Sequence, residues 1–132
     1  MKNKNGANAF AEIQKNLEFQ NPLKWRELKA TDFQGIVLPG GHAPGMREYL
    51  ESTILQKVIV DFFDHNKFVA AICHGTVLAA RSLKSDGKSV LSGYKTTALL
   101  RSQEISAWLL TCLWLGNYYR TCPETVQAEV TR

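Results

Sequence analysis

Two short apolar runs set the pattern of this chain. Phe33-Gln-Gly-Ile-Val-Leu38 is stopped by Pro39-Gly40-Gly41, and Phe68 to Ile72 is stopped by Cys73-His74-Gly75. Runs this brief, bounded by breakers, predict parallel strands buried on both faces rather than helices. Between them Ile54, Leu55, Val58, Ile59, Phe62 and Phe63 recur at helical spacing up to a stop near Asn66, and Thr53 with Gln56 predicts a capping box at the start. Gly75 to Leu83 returns to helical spacing directly after the second run. Strand, helix, strand, helix predicts the α/β class, a parallel sheet with flanking helices.

Outside this unit the pattern is weaker. The first twenty residues, rich in Asn, Lys and Gln, predict a loosely ordered lead-in with one short helix around Phe10 to Leu17. Asn21-Pro22 reads as a cap and first helical position, opening a short turn through Trp25 and Leu28. Asp86-Gly87 predicts a turn, with short strand fragments expected at Ser89 to Leu91 and Lys95 to Thr97. Ser102 is expected to cap a last helix whose Ile105, Trp108, Leu109, Cys112 and Leu113 share one face before Gly116 ends it. Two long strands fall short of the usual sheet of about five or six, so the chain looks short for its own architecture.

Composition narrows the class. With 132 residues, 45% hydrophobic and 21% charged, a single domain with a real core is expected. The net charge of +4 is spread along the chain among acids, apart from Lys2 and Lys4, which predicts a solvated surface and no nucleic-acid partner. The opening MKNKNGANAF lacks an apolar core behind its charges, and Ala107 to Leu115, broken by Thr111, is too short to span a bilayer. A protein of the cytoplasm with no membrane partner is the expectation. Cys73, Cys112 and Cys122 show neither CxxC nor metal spacing, which argues for a reducing compartment and against a disulfide framework or a metal site; no cofactor is expected.

Both breaker loops fall where ligands gather in open parallel sheets, at the carboxyl ends of the strands. If the strands are neighbours, a thiol on a tight strand-to-helix turn, a helix N-terminus that favours thiolate, and free backbone N–H groups all meet. Cys73 is then the candidate nucleophile, with the N–H groups of Gly41 and His74 as an oxyanion hole, and Gly40 and Gly41 letting the backbone come close. The residues alone leave a second reading open, in which Cys73 is a small buried hydrophobe before a turn. His42 is a candidate substrate contact or a loop residue bonded to backbone. His65 is read as a helix-end residue, Cys112 as core and Cys122 as exposed. Trp108, Trp114, Tyr118 and Tyr119 are read as core and rim packing, with a dimer surface as the lesser reading.

The strings GIVLPGGHAPGMREYLES and VAAICHGTVLAARS, in this order and at the interval a crossover helix needs, resemble the ThiJ/PfpI family of the class I glutamine amidotransferase-like superfamily. LSGYKTTAL and AWLLTCLWLGNYYRT extend the resemblance. It implies a flavodoxin-like parallel sheet, a candidate homodimer, Cys73 on the nucleophile elbow, and His74 as its partner in a Cys-His dyad. It also implies that Gly41 and His74 supply the oxyanion-hole amides. Members of the family are described as proteases or amidases, as glyoxalases acting on 2-oxoaldehydes, and as stress chaperones.

The chain departs from that pattern in ways that shape the expectation. No strand bearing the usual Glu or Asp precedes Phe33, the loop position that matches the glutamate of PfpI-type members is Gly45, and Ala98 stands where other members carry a histidine. One partial domain over residues 1–132 is therefore expected, an incomplete flavodoxin-like sheet lacking an N-terminal strand and the closing C-terminal strands. The first functional reading is a cysteine-dependent hydrolase, amidase or glyoxalase-like enzyme that attacks a small carbonyl or amide substrate through Cys73, with His74 moving the proton and Gly40 and His42 lining the substrate. The second is a non-catalytic copy acting as a thiol redox sensor, chaperone-like or binding protein.

Overall fold

A computed structural model describes residues 4–132. In chain order it contains α1 (Lys4–Lys15), α2 (Leu17–Gln20), single 3-10 turns at Trp25–Glu27 and Ala30–Asp32, β1 (Gly35–Leu38), α3 (Met46–Glu51), α4 (Thr53–Asp64), β2 (Phe68–Ala71), α5 (Gly75–Arg81), α6 (Arg101–Leu115) and α7 (Val126–Thr131). The two strands run parallel in the register Gly35 with Phe68, Ile36 with Val69, Val37 with Ala70 and Leu38 with Ala71. This is a mixed α/β chain, consistent with an incomplete flavodoxin-like fold.

The register decides which side chains meet the core. Successive strand residues point to opposite faces, so Ile36, Leu38, Val69 and Ala71 share one face and pack toward α4 and α5, whose core residues include Leu55, Ile59, Val77 and Leu78. Val37, Phe68 and Ile72 lie on the other, with Val37 64% and Phe68 83% exposed. The expectation of strands buried on both faces is therefore corrected to one covered face. The apolar runs are continuous, but among the described residues the sheet ends after two strands and these residues stay open.

The helix caps show where local reading succeeds and where it slips by a residue. Ser52, not Thr53, caps α4: its backbone is extended and its hydroxyl accepts from Leu55 N at 3.2 Å. Thr53 is already the first helical residue. At the other end Asn66 takes φ 52, Asn66 N donates to Phe63 O at 3.0 Å and Lys67 N to Phe62 O at 2.9 Å. That pair of bonds closes the helix and turns the chain directly into β2.

Other expectations shift more. The lead-in holds two helices rather than one, residues 5–20 are exposed, and the part of that expectation that falls on residues 1–3, Lys2 included, lies outside the described residues. Asn21 ends α2 instead of starting a helix, while the short turn expected through Trp25 and Leu28 is present as the 3-10 turn Trp25–Glu27 with Leu28 as its cap. Of the expected strand fragments, Ser89 forms an isolated antiparallel bridge with Leu83, while Lys95 to Thr97 is irregular. The backbone of α6 begins at Arg101 with Leu100 as its cap, not Ser102. Its apolar stripe is not a core face: Leu113 is 92% exposed, and the fully buried residue of α6 is Glu104.

The short α3 and α7 carry no signal long enough to be read from spacing, and packing holds both. Leu50 of α3 and Val126 of α7 lie in the main core with Cys122. Arg81 of α5 grips Glu129 of α7 through two contacts, Nε to Oε2 at 3.1 Å and Nη2 to Oε1 at 2.6 Å. That pair sits at the C-terminal end of α5, away from the breaker loops; the chain after α6 reaches the loops earlier, through Tyr119 and Thr121.

Candidate active site

Parallel register places the ends of β1 and β2 side by side, and Ile72 N extends the ladder by donating to Leu38 O at 3.0 Å. The loops that follow are in direct contact. A Cβ on Gly40 would lie 2.5 Å from Ile72 O, 2.7 Å from Cys73 Cβ and 3.0 Å from His74 N. A Cβ on Gly75 would collide with Leu38 O, so the first turn of α5 sits against the end of β1. Glycine is required at both positions by close approach of backbone.

Between Ile72 and Gly75 the chain reverses over two residues. Cys73 has φ 52, a left-handed conformation that costs a non-glycine residue on the order of 1–3 kcal/mol. Gly75 N donates to Ile72 O at 2.8 Å, Thr76 N to Cys73 O at 3.1 Å and the Thr76 hydroxyl to the same oxygen at 2.7 Å, and these bonds hold the turn. The half-buried thiol is thus presented at the head of α5 on a sharp strand-to-helix turn. Among the described residues no hydrogen bond occupies the N–H of Gly41 or of His74.

His74 is fully buried, with Nδ1 3.5 Å from Cys73 Sγ, and among the described residues its Nε2 has no hydrogen-bond partner. Burial, then the neighbouring His42, lowers its pKa to about 4, so the ring is neutral near pH 7. The His42 ring meets it edge-on with centroids 4.6 Å apart, and the rings of Tyr119 and Tyr118 lie 4.7 and 6.2 Å from His42. Thr121 Oγ1 donates to His42 O at 3.2 Å and ties the GG loop to the segment after α6. Burial lowers the His42 pKa as well, opposed by the carboxylate of Glu104.

Cys73, His74, Gly40, Gly41 and His42 therefore come together at one end of the sheet. Other residues singled out from sequence lie elsewhere. Gly45 faces open space, Ala98 packs against the core, and His65 places Nδ1 2.8 Å from Asp61 O at the end of α4. Cys112 is only half-buried, on the uncovered side of α6, and Cys122 is buried in the main core rather than exposed. Burial raises the Cys122 pKa. Cys122 is drawn inside because the segment before α7 folds back over α5.

Tyr118 and Tyr119 are ring partners of His42 rather than simple core and rim packing, and sequence reasoning missed Thr121 and Glu104 altogether. Glu104 is the one acid of the Arg101–Leu115 helix and lies in its polar first turn, so no pattern in the sequence singles it out. A groove of about 520 Å³ lined by Arg47, Trp108, Asn117, Arg120 and Thr121 adjoins this segment. Among the described residues no group of three or more His, Cys, Asp or Glu is arranged to hold a metal, and no helix is long and apolar enough to cross a membrane.

Comparison with known proteins agrees with the architecture. A family model described as ThiJ/PfpI family-like matches residues 2–126. An uncharacterized protein of Archaeoglobus fulgidus is 31% identical over 78 residues, covering 59% of this chain and 45% of that protein. The chain thus spans less than half the length of that relative. No solved structure matches it.

Proposed function

The chain belongs to the ThiJ/PfpI-like family, and from that premise we propose that it is a cysteine-dependent enzyme that attacks the carbonyl carbon of a small aldehyde or amide through Cys73. The observation that carries this reading is the left-handed Cys73, φ 52, with His74 Nδ1 3.5 Å from its sulfur. Strain of that kind persists where the surrounding bonds over-determine it, and it puts the thiol at the mouth of the two loops. A merely buried cysteine needs no such conformation.

The chemistry follows from the groups in reach. Sγ forms a bond to the carbonyl carbon as the thiol proton passes to His74, and the carbonyl π pair moves onto oxygen. The Gly41 and His74 amides are the donors available to that oxyanion. Because His74 is only weakly basic, it hands the proton on, to the oxyanion in a thiohemiacetal or to the leaving amine in acyl transfer. Gly40 and His42 line the approach. We place this chemistry in the cytoplasm, where thiols stay reduced, and in a chain that pairs with a second copy.

The test is selective alkylation followed by turnover. At pH 6 iodoacetamide is expected to modify Cys73 much faster than Cys112 or Cys122, and Cys73→Ser is expected to abolish methylglyoxal consumption or amide hydrolysis. Fast alkylation with no turnover of either substrate favours the sensor reading instead, in which the accessible thiol is oxidised to a sulfenate by peroxide. Equal alkylation of all three cysteines removes the activated thiol from both readings.

A further inference from the structure

Arg120 is a half-buried cation with no carboxylate partner among the described residues. Its Nη2 donates to Pro123 O at 3.0 Å, which fixes the guanidinium against the segment before α7 without offsetting its charge. The neighbouring arginines are balanced: Arg81 holds Glu129, and Arg47 gives Nε and Nη2 to Glu51 Oε1 at 3.1 and 2.9 Å. A cation drawn partly out of water is stabilised by an anion that meets it.

Arg120 and Arg47 line the same groove of about 520 Å³, together with Trp108, Asn117, Thr121 and Pro123. Clefts of about 300–1,000 Å³ take small molecules. Among the described residues no carboxylate lines this one, and burial keeps the thiol in its wall, Cys122, neutral by raising its pKa. The side-chain oxygen of Asn117 accepts from Trp108 Nε1 at 3.2 Å, so what Asn117 offers to a ligand is its amide NH2. The lining therefore presents donors and positive charge, with two guanidiniums whose planar forks match a carboxylate or a phosphate.

Contacts join this groove to the Cys73 site. Thr121, in the groove wall, donates its hydroxyl to His42 O at 3.2 Å, the His42 and His74 rings meet with centroids 4.6 Å apart, and His74 Nδ1 is 3.5 Å from Cys73 Sγ. Arg47 stands where the GG loop passes into α3, its backbone N–H donating to Pro44 O at 3.3 Å. We propose that the groove binds the anionic end, a carboxylate or phosphate, of the small molecule whose carbonyl meets Cys73, with Arg120 as the main anchor and Arg47 as the second. The substrate is then an acidic aldehyde or amide rather than a neutral one. The tie to the thiol rests on the reading of Cys73 as a nucleophile, whereas the anion site stands without it.

The experiment follows the Trp108 indole N–H signal by NMR in the full chain as succinate or inorganic phosphate is added. A saturable shift is expected, with affinity weakened about tenfold by Arg120→Gln, the scale of one charged hydrogen bond. Arg47→Gln is expected to weaken it less, because Glu51 already shares that guanidinium. Arg26→Gln, at an exposed arginine outside the groove, is expected to leave the affinity unchanged. Tighter binding of phosphate assigns the end group as phosphate, and tighter binding of succinate assigns it as carboxylate. No saturable shift with either anion, or equal losses in all three variants, overturns the site. If Arg120→Gln does not fold, Arg47→Gln decides, and an affinity equal to the wild type overturns it. Succinic semialdehyde is also expected to protect Cys73 from iodoacetamide at lower concentration than butyraldehyde does, and Arg120→Gln to remove that advantage. Arginine-dependent anion binding without the advantage upholds the site and overturns its tie to the thiol, and Cys73 alkylated no faster than Cys112 rejects the nucleophile alone.

Discussion

Gly40 and Cys73 are pressed together so closely that a Cβ on the glycine would stand 2.7 Å from the Cys73 Cβ. The left-handed turn at Cys73 and the bare backbone at Gly40 are two halves of one contact. Gly40→Ala is expected to destabilise the fold by about 1–3 kcal/mol, the range for overpacking a filled site. It should also slow alkylation of Cys73, because the clash is relieved by moving the elbow. Denaturant melting with alkylation rates on the same samples checks both, and a variant equal to the wild type in each refutes the contact.

Arg81 and Glu129 tie α5 to α7 through a bidentate, largely buried pair. The hydrogen bond to Glu129 is the main cause of the raised Arg81 pKa, with burial opposing it. Removing one partner leaves the other charge half-desolvated, so Glu129→Gln is expected to cost about 2 kcal/mol, below the range for a fully buried pair because both side chains keep some water. Replacing both with apolar residues should cost less. Unfolding free energies of the single and double variants decide it, and additive losses contradict a coupled pair.

The uncovered face of the sheet carries Val37, Phe68 and Ile72. Burying one such side chain is worth about 1.5–3 kcal/mol, so this face favours association between copies. The weight-average mass in sedimentation is expected to rise with protein concentration, and the melting midpoint with it. Phe68→Thr should reduce both. A monomer with a concentration-independent midpoint contradicts the expectation.

The unit from Phe33 to Arg81 was legible because short-range signals agree there. Apolar runs end at breakers, α4 has its spacing, and the two glycine loops fall at the ends of neighbouring strands. Cys73, His74, Gly40, Gly41 and His42 group together from the sequence alone, since parallel pairing brings the loops after neighbouring strands to the same edge. What lies after Leu83 was not legible in the same way. The position of α7 depends on Arg81 reaching Glu129 across 48 residues, and the burial of Cys122 follows from that contact. Glu104 lies in the polar first turn of α6, so a hydrophobic pattern assigns it to the surface, and its capping of Val126 explains why it is inside.

His74 makes stability depend on acid. Its ring titrates at 6.5 when free and at about 4 when buried in the fold, so below pH 6.5 the unfolded chain takes up a proton that the folded chain refuses. Stability contributed by the neutral ring is complete above pH 6.5, declines as pH falls toward 4, and the loss levels off below that, at roughly 3 kcal/mol in all. His42, lowered in the same direction, adds to the decline. Urea unfolding at pH 7, 5.5 and 4.5 should show this slope in the wild type and a shallower one in His74→Gln, which has no proton to take up at that position. Parallel slopes in the two proteins would mean that the buried ring is not the group responsible.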